Sequence, residues 1–233
     1  MVNAMSMVLP GCVLHGAPDS KYAKSLRFAE FSPRTQLPRV STLRRWHYEL
    51  PEDFSFALHA PRSAVVSSRG ALRLDDEMKK SIDWTLEAAE ALAAVAVRFE
   101  TPIEVTPSAR SRDLLAAYTK ELPRIEGRVW VWTPNGLWEP WSADRLAERL
   151  DLVRSFDPVS EPSPRGKIAY ARLRTLGVRF RLSTEVLRTA VANLVKAPVE
   201  KAYFTLDSDG SLNQVLLLKR LIEAESEGLE HLV

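Results

Sequence analysis

The side chains able to do chemistry fall mostly at the ends of short apolar runs. They are Glu30, His59, Glu100, Asp157, Arg172, Arg174 and Asp207. Two carboxylates flanking one bond hydrolyse glycosides, at a separation of about 5 Å or about 6.5–9.5 Å according to the stereochemical outcome. Glu30 with Glu100 or Asp207 could form such a pair. His59 beside carboxylates could hold a divalent ion, with His15 as a second imidazole. No H-x-H or H-E-x-x-H spacing supports this, and no metal is assigned. Arg172 and Arg174 suit a phosphate or carboxylate, which guanidinium forks bind bidentately. Trp130 and Trp132 either stack on a sugar or base or fill the core. No G-x-S-x-G elbow is present, and no cofactor is assigned. Each residue also has an ordinary reading. Strand-end charges are often solvated or ion-paired, and His59 could be a hydrogen-bonded core histidine.

The chain that carries them has 233 residues, 45% hydrophobic and 27% charged. That is globular composition, well away from the pattern of disorder. The length suits one α/β barrel of about 250 residues. Net charge is +2, from 32 basic and 30 acidic residues. A nucleic-acid partner usually leaves a concentrated basic face, so this balance argues against one. Cys12 is the only cysteine, which rules out an internal disulfide and any zinc site needing several thiolates. A reducing cytoplasm is the expected compartment. The opening MVNAMSMVLPGCVLHG lacks a basic segment, and Pro10 and Gly11 break its apolar run. No signal peptide is expected, and Met5 or Met7 could be the true start. No run approaches the ~18 apolar residues of a membrane helix, so no membrane partner is expected.

Short β-type runs alternate with helical patterns throughout. Strands are expected at residues 8–14, 28–31, 54–60, 94–100, 128–133, 150–157, 167–174 and 201–207. Helices are expected at 21–27, 41–50, 74–92, 108–122, 142–150, 183–194 and 211–223. Ser41 and Ser142 read as N-caps, and Asp75 and Asp76 as first-turn acids. The Pro- and Ser-rich residues 158–167 read as a long loop, because too little chain follows for a second core. Residues 1–7 and 225–233 are expected to fray. Eight strands alternating with helices favour a parallel sheet. The expected fold class is α/β: a single TIM-barrel-like domain over residues 1–233, with about eight parallel strands. A doubly wound open sheet is second choice, since no G-x-G-x-x-G or G-x-x-x-x-G-K follows any strand.

The series FAEFSPRTQLPRVSTLRRWHYELPEDFSFALHAP, AVAVRFETP, KIAYARLRTLG and AYFTLDSDG resembles the YecE-like family, domain of unknown function 72. Glu30 stands at the family's strand-end glutamate and Trp46 at its helix tryptophan. Pro51, Phe54 and Phe56 match the lead-in to the next strand, and His59 stands where the pattern has lysine. Glu100 stands at a glutamine, Arg172 at an arginine, Arg174 at a histidine, and Asp207 near an amide of the last strand. The match is collinear over residues 8–222. It implies a TIM-barrel-like fold and carries no established activity. The chain departs from the pattern at several polar positions. Ser32 replaces an asparagine. VWVWTPNGLW stands where the family reads V-E-F-R-H-P-S-W, so the indoles of Trp130 and Trp132 replace a carboxylate and a guanidinium.

Alternation along each strand tests which residues could share a cavity. In FSFALHA the bulky Phe54, Phe56 and Leu58 suit a helix layer, which turns His59 inward. In KAYFTLD, Tyr203, Thr205 and Asp207 point inward. Tyr170, Arg172 and Arg174 share one face, and Arg98 and Glu100 oppose Val97 and Phe99. Asp157 shares a face with Val153 and Ser155. The family match places Trp130 and Trp132 on the inner face. A barrel would then gather the seven ionisable residues at the C-terminal ends of its strands, where barrel enzymes keep their chemistry. Three functions are open. The first is hydrolase- or lyase-like chemistry on a small anionic or sugar-like ligand. The second is a degenerate barrel that binds a ligand or protein partner without chemistry, as the tryptophans suggest. The third is nucleic-acid binding through Arg165, Lys167, Arg172, Arg174, Arg179 and Arg181, which alternation disfavours by turning two of them inward. Oligomeric state is left open.

Overall fold

The structure, a computed structural model, describes residues 7–175, 182–207 and 212–230. The chain opens with β1 (Met7–Leu14), α1 (Ser20–Ser25), β2 (Phe28–Phe31), α2 (Val40–Tyr48) and β3 (Ser55–His59). A small antiparallel hairpin, β4 (Val66–Ser67) and β5 (Gly70–Ala71), precedes α3 (Asp76–Ala91). Then come β6 (Ala96–Glu100), α4 (Ala109–Lys120), β7 (Val129–Thr133), α5 (Pro140–Arg149) and β8 (Val153–Phe156). The chain continues with β9 (Ile168–Arg174), α6 (Thr184–Val195), β10 (Lys201–Asp207) and α7 (Leu212–Glu230). Eight strands close into a barrel in the order β1-β10-β9-β8-β7-β6-β3-β2. Pairing is parallel from β1 through β10, β9, β8, β7 and β6 to β3. The α/β barrel expected from the strand count is therefore the fold. Residues 157–167 join β8 to β9 without a helix, as the loop reading expects. The last helix runs to Glu230, through positions expected to fray.

Helix starts follow their caps. Asp75, Ser108 and Ser183 accept the backbone N–H of Met78, Ser111 and Val186, which fixes the first turns of α3, α4 and α6. Two starts differ from expectation. Arg39 is the last extended residue before α2, so Ser41 lies within the helix and does not cap it. Glu139 precedes α5, whose first residue is Pro140, so Ser142 is also internal. Proline lacks an N–H and has the φ of a first helical turn, and it starts this helix two residues early. Helix ends move two strands as well. Ala93 and Asp151 are left-handed, with φ of 46° and 55°. The following N–H groups, of Ala94 and Leu152, reach back to the carbonyls of Ala89 and Ala147 at 2.8 Å. These turns use the residues before Ala96 and Val153, so β6 and β8 begin later than their apolar runs suggest.

Contacts group the described residues into two compact units. One lies within Met1–Leu14, Pro18–Glu30 and Ser155–Val233; the other comprises His15–Ala17 and Phe31–Arg154. In the first, Phe28 packs against Tyr203 at 4.9 Å and edge-on to Tyr170 at 6.5 Å between ring centroids. Strand β1 approaches β2 so closely that a Cβ on Gly11 would lie 2.3 Å from the Phe28 carbonyl oxygen. The Tyr22 hydroxyl ties these two strands. It accepts the Cys12 N–H at 2.8 Å and donates to the Phe28 carbonyl at 2.7 Å. Burial holds the Tyr22 hydroxyl's pKa well above the usual phenol value.

In the second unit the indoles correct an expectation. Strand register sets Val97 beside Trp130 and Phe99 beside Trp132. The Phe99 ring lies 5.4 Å from Tyr118 of α4 and 6.5 Å from Trp130. Trp130 Nε1 donates to the Pro123 carbonyl at 2.9 Å, and Trp132 Nε1 donates to Thr101 Oγ1 at 3.0 Å. Both indoles therefore face the helix layer, not the inner face. Large apolar rings gain most where they leave water completely, and here that is between strand and helix. The inner positions belong to Arg98 and Thr133, joined at 3.2 Å.

Candidate functional site

Along the strands, inward positions turn polar toward the C-terminal end. β2 runs from Phe28 to Glu30, β3 from Ala57 to His59, and β6 from Ala96 through Arg98 to Glu100. β9 runs from Tyr170 through Arg172 to Arg174, and β10 from Tyr203 through Thr205 to Asp207, with each of these three pairs in register. On these five strands an apolar position therefore lies below a polar strand end.

In the first unit Glu30 is fully buried and accepts a hydrogen bond from the Tyr170 hydroxyl at 2.5 Å. Two guanidiniums share the Asp207 carboxylate: Arg172 Nη2 at 2.5 Å and Arg174 Nε at 3.2 Å, both on Oδ2. Arg172 is nearly buried, whereas the Arg174 side chain is 56% exposed. Its two terminal nitrogens have no partner among the described residues. Burial raises the pKa of the Tyr203 hydroxyl below them.

In the second unit Ser32 Oγ lies 2.9 Å from His59 Nδ1. His15 Nδ1 donates to the Ser32 carbonyl at 2.8 Å, anchoring the chain that leaves β2. His59 Nε2 lies 3.9 Å from Glu100 Oε2. Glu100 is held from two sides, by Arg98 Nη1 at 3.0 Å on Oε2 and by Asn135 Nδ2 at 2.9 Å on Oε1. Arg98 is fully buried, a setting in which a charge is costly unless paired, and Glu100 supplies the pairing.

Of the residues singled out in the sequence, Arg172, Arg174 and Asp207 converge, as do His59 and Glu100. Glu30 is drawn into a buried pair with Tyr170. Asp157 is turned into its own loop, where Oδ1 accepts the Val159 N–H at 2.8 Å. Of the arginine run considered for nucleic acid, Arg172 is committed to Asp207, and Arg179 and Arg181 lie outside the described residues. Sequence reasoning missed the roles of Ser32, Arg98 and Asn135. Only Arg98 left a signal, two residues before Glu100 on the same strand face. Among the described residues, no three of His, Cys, Asp and Glu are grouped to hold a metal ion, and no helix is long and apolar enough to cross a membrane.

Comparison with solved structures follows this geometry. A DUF72 family protein from Thermotoga maritima superposes with a TM-score of 0.69 and 14% identity, covering 93% of this chain and 99% of that one. A DUF72 family protein from Enterococcus faecalis gives a TM-score of 0.63 at 12% identity, covering 94% and 98%. The fold is that of DUF72 family proteins. Endonuclease IV from Thermus thermophilus also shares the barrel, with a TM-score of 0.55 at 12% identity over 94% and 99% of the two chains. By sequence, no family model and no curated protein matches the chain. At these identities the likeness speaks for the fold, and the chemistry rests on the side chains above.

Proposed function

We propose that this barrel binds a small anionic ligand at the C-terminal ends of β9 and β10, through Arg174 and Arg172. The observation that carries the reading is the Arg174 fork. Its Nε is fixed on Asp207 while its terminal nitrogens meet no partner among the described residues. A guanidinium oriented by one carboxylate is pre-arranged for a second, bidentate partner, and phosphate or carboxylate oxygens match that geometry. The sugar-like alternative has less support, because the outward-facing Trp130 and Trp132 offer no stacking platform at the strand ends. The same turn removes the support that indoles at an inner face gave to a degenerate barrel. A reducing, cytoplasmic setting belongs to the proposal, and the single, buried Cys12 suits it.

Isothermal titration with inorganic phosphate and a panel of small phosphorylated and carboxylated compounds tests this, together with native mass spectrometry of the purified protein. At least one anion is expected to bind. Arg174→Ala should weaken it by roughly tenfold or more, the value of one charge-assisted hydrogen bond. If the unmodified protein binds none of the panel, or Arg174→Ala binds as well as the parent, the proposal is lost.

A further inference from the structure

The second unit carries a row of side chains that anion binding does not use. Ser32 Oγ, His59 Nδ1, His59 Nε2 and Glu100 Oε2 follow one another with contacts of 2.9 Å and 3.9 Å at the two sides of the ring. The Glu100 carboxylate is beyond hydrogen-bond length from Nε2 at 3.9 Å, and its negative charge favours the proton on that nitrogen. Nδ1 is then the lone-pair nitrogen, and it faces the Ser32 hydroxyl. The order is nucleophile, base, carboxylate, with the two ring nitrogens exchanged relative to the serine-protease arrangement. Glu100 cannot swing away freely, since Arg98 and Asn135 hold both its oxygens. Ser32 is likewise held, through the His15 contact to its carbonyl. Ser32 and His59 are also two of the positions at which the chain departs from the YecE-like pattern, and they depart in contact with one another.

We propose that Ser32 is a nucleophile, His59 its general base and Glu100 a positioning residue that stabilises the imidazolium, in a site that hydrolyses small esters with good leaving groups. Attack forms a bond from Ser32 Oγ to the acyl carbon, and the bond from that carbon to the leaving oxygen breaks. The serine proton passes to His59 Nδ1 and then to the leaving oxygen. Water repeats the sequence at the acyl-enzyme, releasing the carboxylic acid and restoring Ser32. Small substrates are expected, because Ser32 is only 9% exposed while the His59 and Glu100 side chains reach 25% and 20%.

The test is covalent labelling by diisopropyl fluorophosphate, read by intact mass and peptide mapping, beside turnover of 4-nitrophenyl acetate. The expected result is one adduct, on Ser32, absent in Ser32→Ala. His59→Ala should slow labelling by about a hundredfold or more, the usual contribution of a general base. Glu100→Gln should slow it as well, with partial recovery in Glu100→Asp, which a purely structural carboxylate would not give. Thermal melts identify any variant that fails to fold, and the mapping on the unmodified protein stands without them. An unmodified protein that takes no adduct on Ser32 overturns the proposal, as does a folded His59→Ala that labels at the parental rate. Labelling of Ser32 and binding of phosphate are read in separate experiments, so this inference and the anion site can fail separately.

Discussion

Replacing Tyr170 by Phe tests the polar rim of the first unit at its base. The change removes one oxygen and keeps the ring, so the packing against Phe28 and Tyr203 survives. What is lost is one donor to Glu30, a carboxylate with no exposure to water. A hydrogen bond to a charged group contributes about 1.5–3 kcal/mol, and a buried carboxylate that loses one donor keeps its desolvation cost. Taking about 2 kcal/mol, Tm should fall by roughly 4–8 °C for a chain of this size. Urea unfolding should show a lower midpoint with an unchanged slope, the sign of altered stability and not of an altered unfolded state. A double-mutant cycle with Glu30→Gln assigns the loss to the pair. Tyr170→Phe and Glu30→Gln should couple by more than about 0.5 kcal/mol, since residues in direct contact are not additive. Additive variants, or a Tyr170→Phe protein as stable as the parent, would refute the reasoning that Glu30 is a buried anchor served by Tyr170.

Gly11→Ala places a Cβ against the backbone of Phe28, 2.3 Å from its oxygen and 2.8 Å from its carbonyl carbon. No rotamer relieves a backbone clash, so a loss at the upper end of the ~1–3 kcal/mol typical of overpacking is expected in urea unfolding, and a neutral result contradicts the close approach of β1 and β2. Tyr22 gives a pH dependence. Its folded-state pKa is raised by burial above the unfolded value of about 10, so its contribution is complete below that pH and is lost as pH rises through the folded pKa. Tyr22→Phe should therefore flatten the alkaline limb of Tm measured from roughly pH 8 to 11, and an unchanged limb would count against the buried phenol.

Much of the rim was legible because strand alternation is local. The period of two along KIAYARLR and KAYFTLD places Arg172 and Arg174 on one face and Asp207 on another strand's inner face, and register then brings Arg174 beside Asp207. The same period applied to FSFALHA turns His59 inward, and its ring meets Glu100, a partner that alternation does not name. At Trp130 and Trp132 the bulk of the side chains outweighs the family pattern. VWVWT has a heavy apolar face like that of FSFALHA, and that face went to the helices in both strands. The N-cap misreadings at Ser41 and Ser142 were local too. A serine is a good cap only where the preceding chain is still extended, and Pro140 had already begun a helix.

The amino-acid pattern alone pointed to eight strands, their helices, a parallel sheet with a closed barrel preferred to an open one, and charge at the strand ends, because these depend on residues a few positions apart. The partners of those charges belong to the folded chain. Tyr170 meets Glu30 across 140 residues, Arg172 meets Asp207 across 35, and Ser32 meets His59 across 27. Such pairs exist only once strand order and register are fixed, and both are set by the summed packing of the barrel and not by the residues that come to touch.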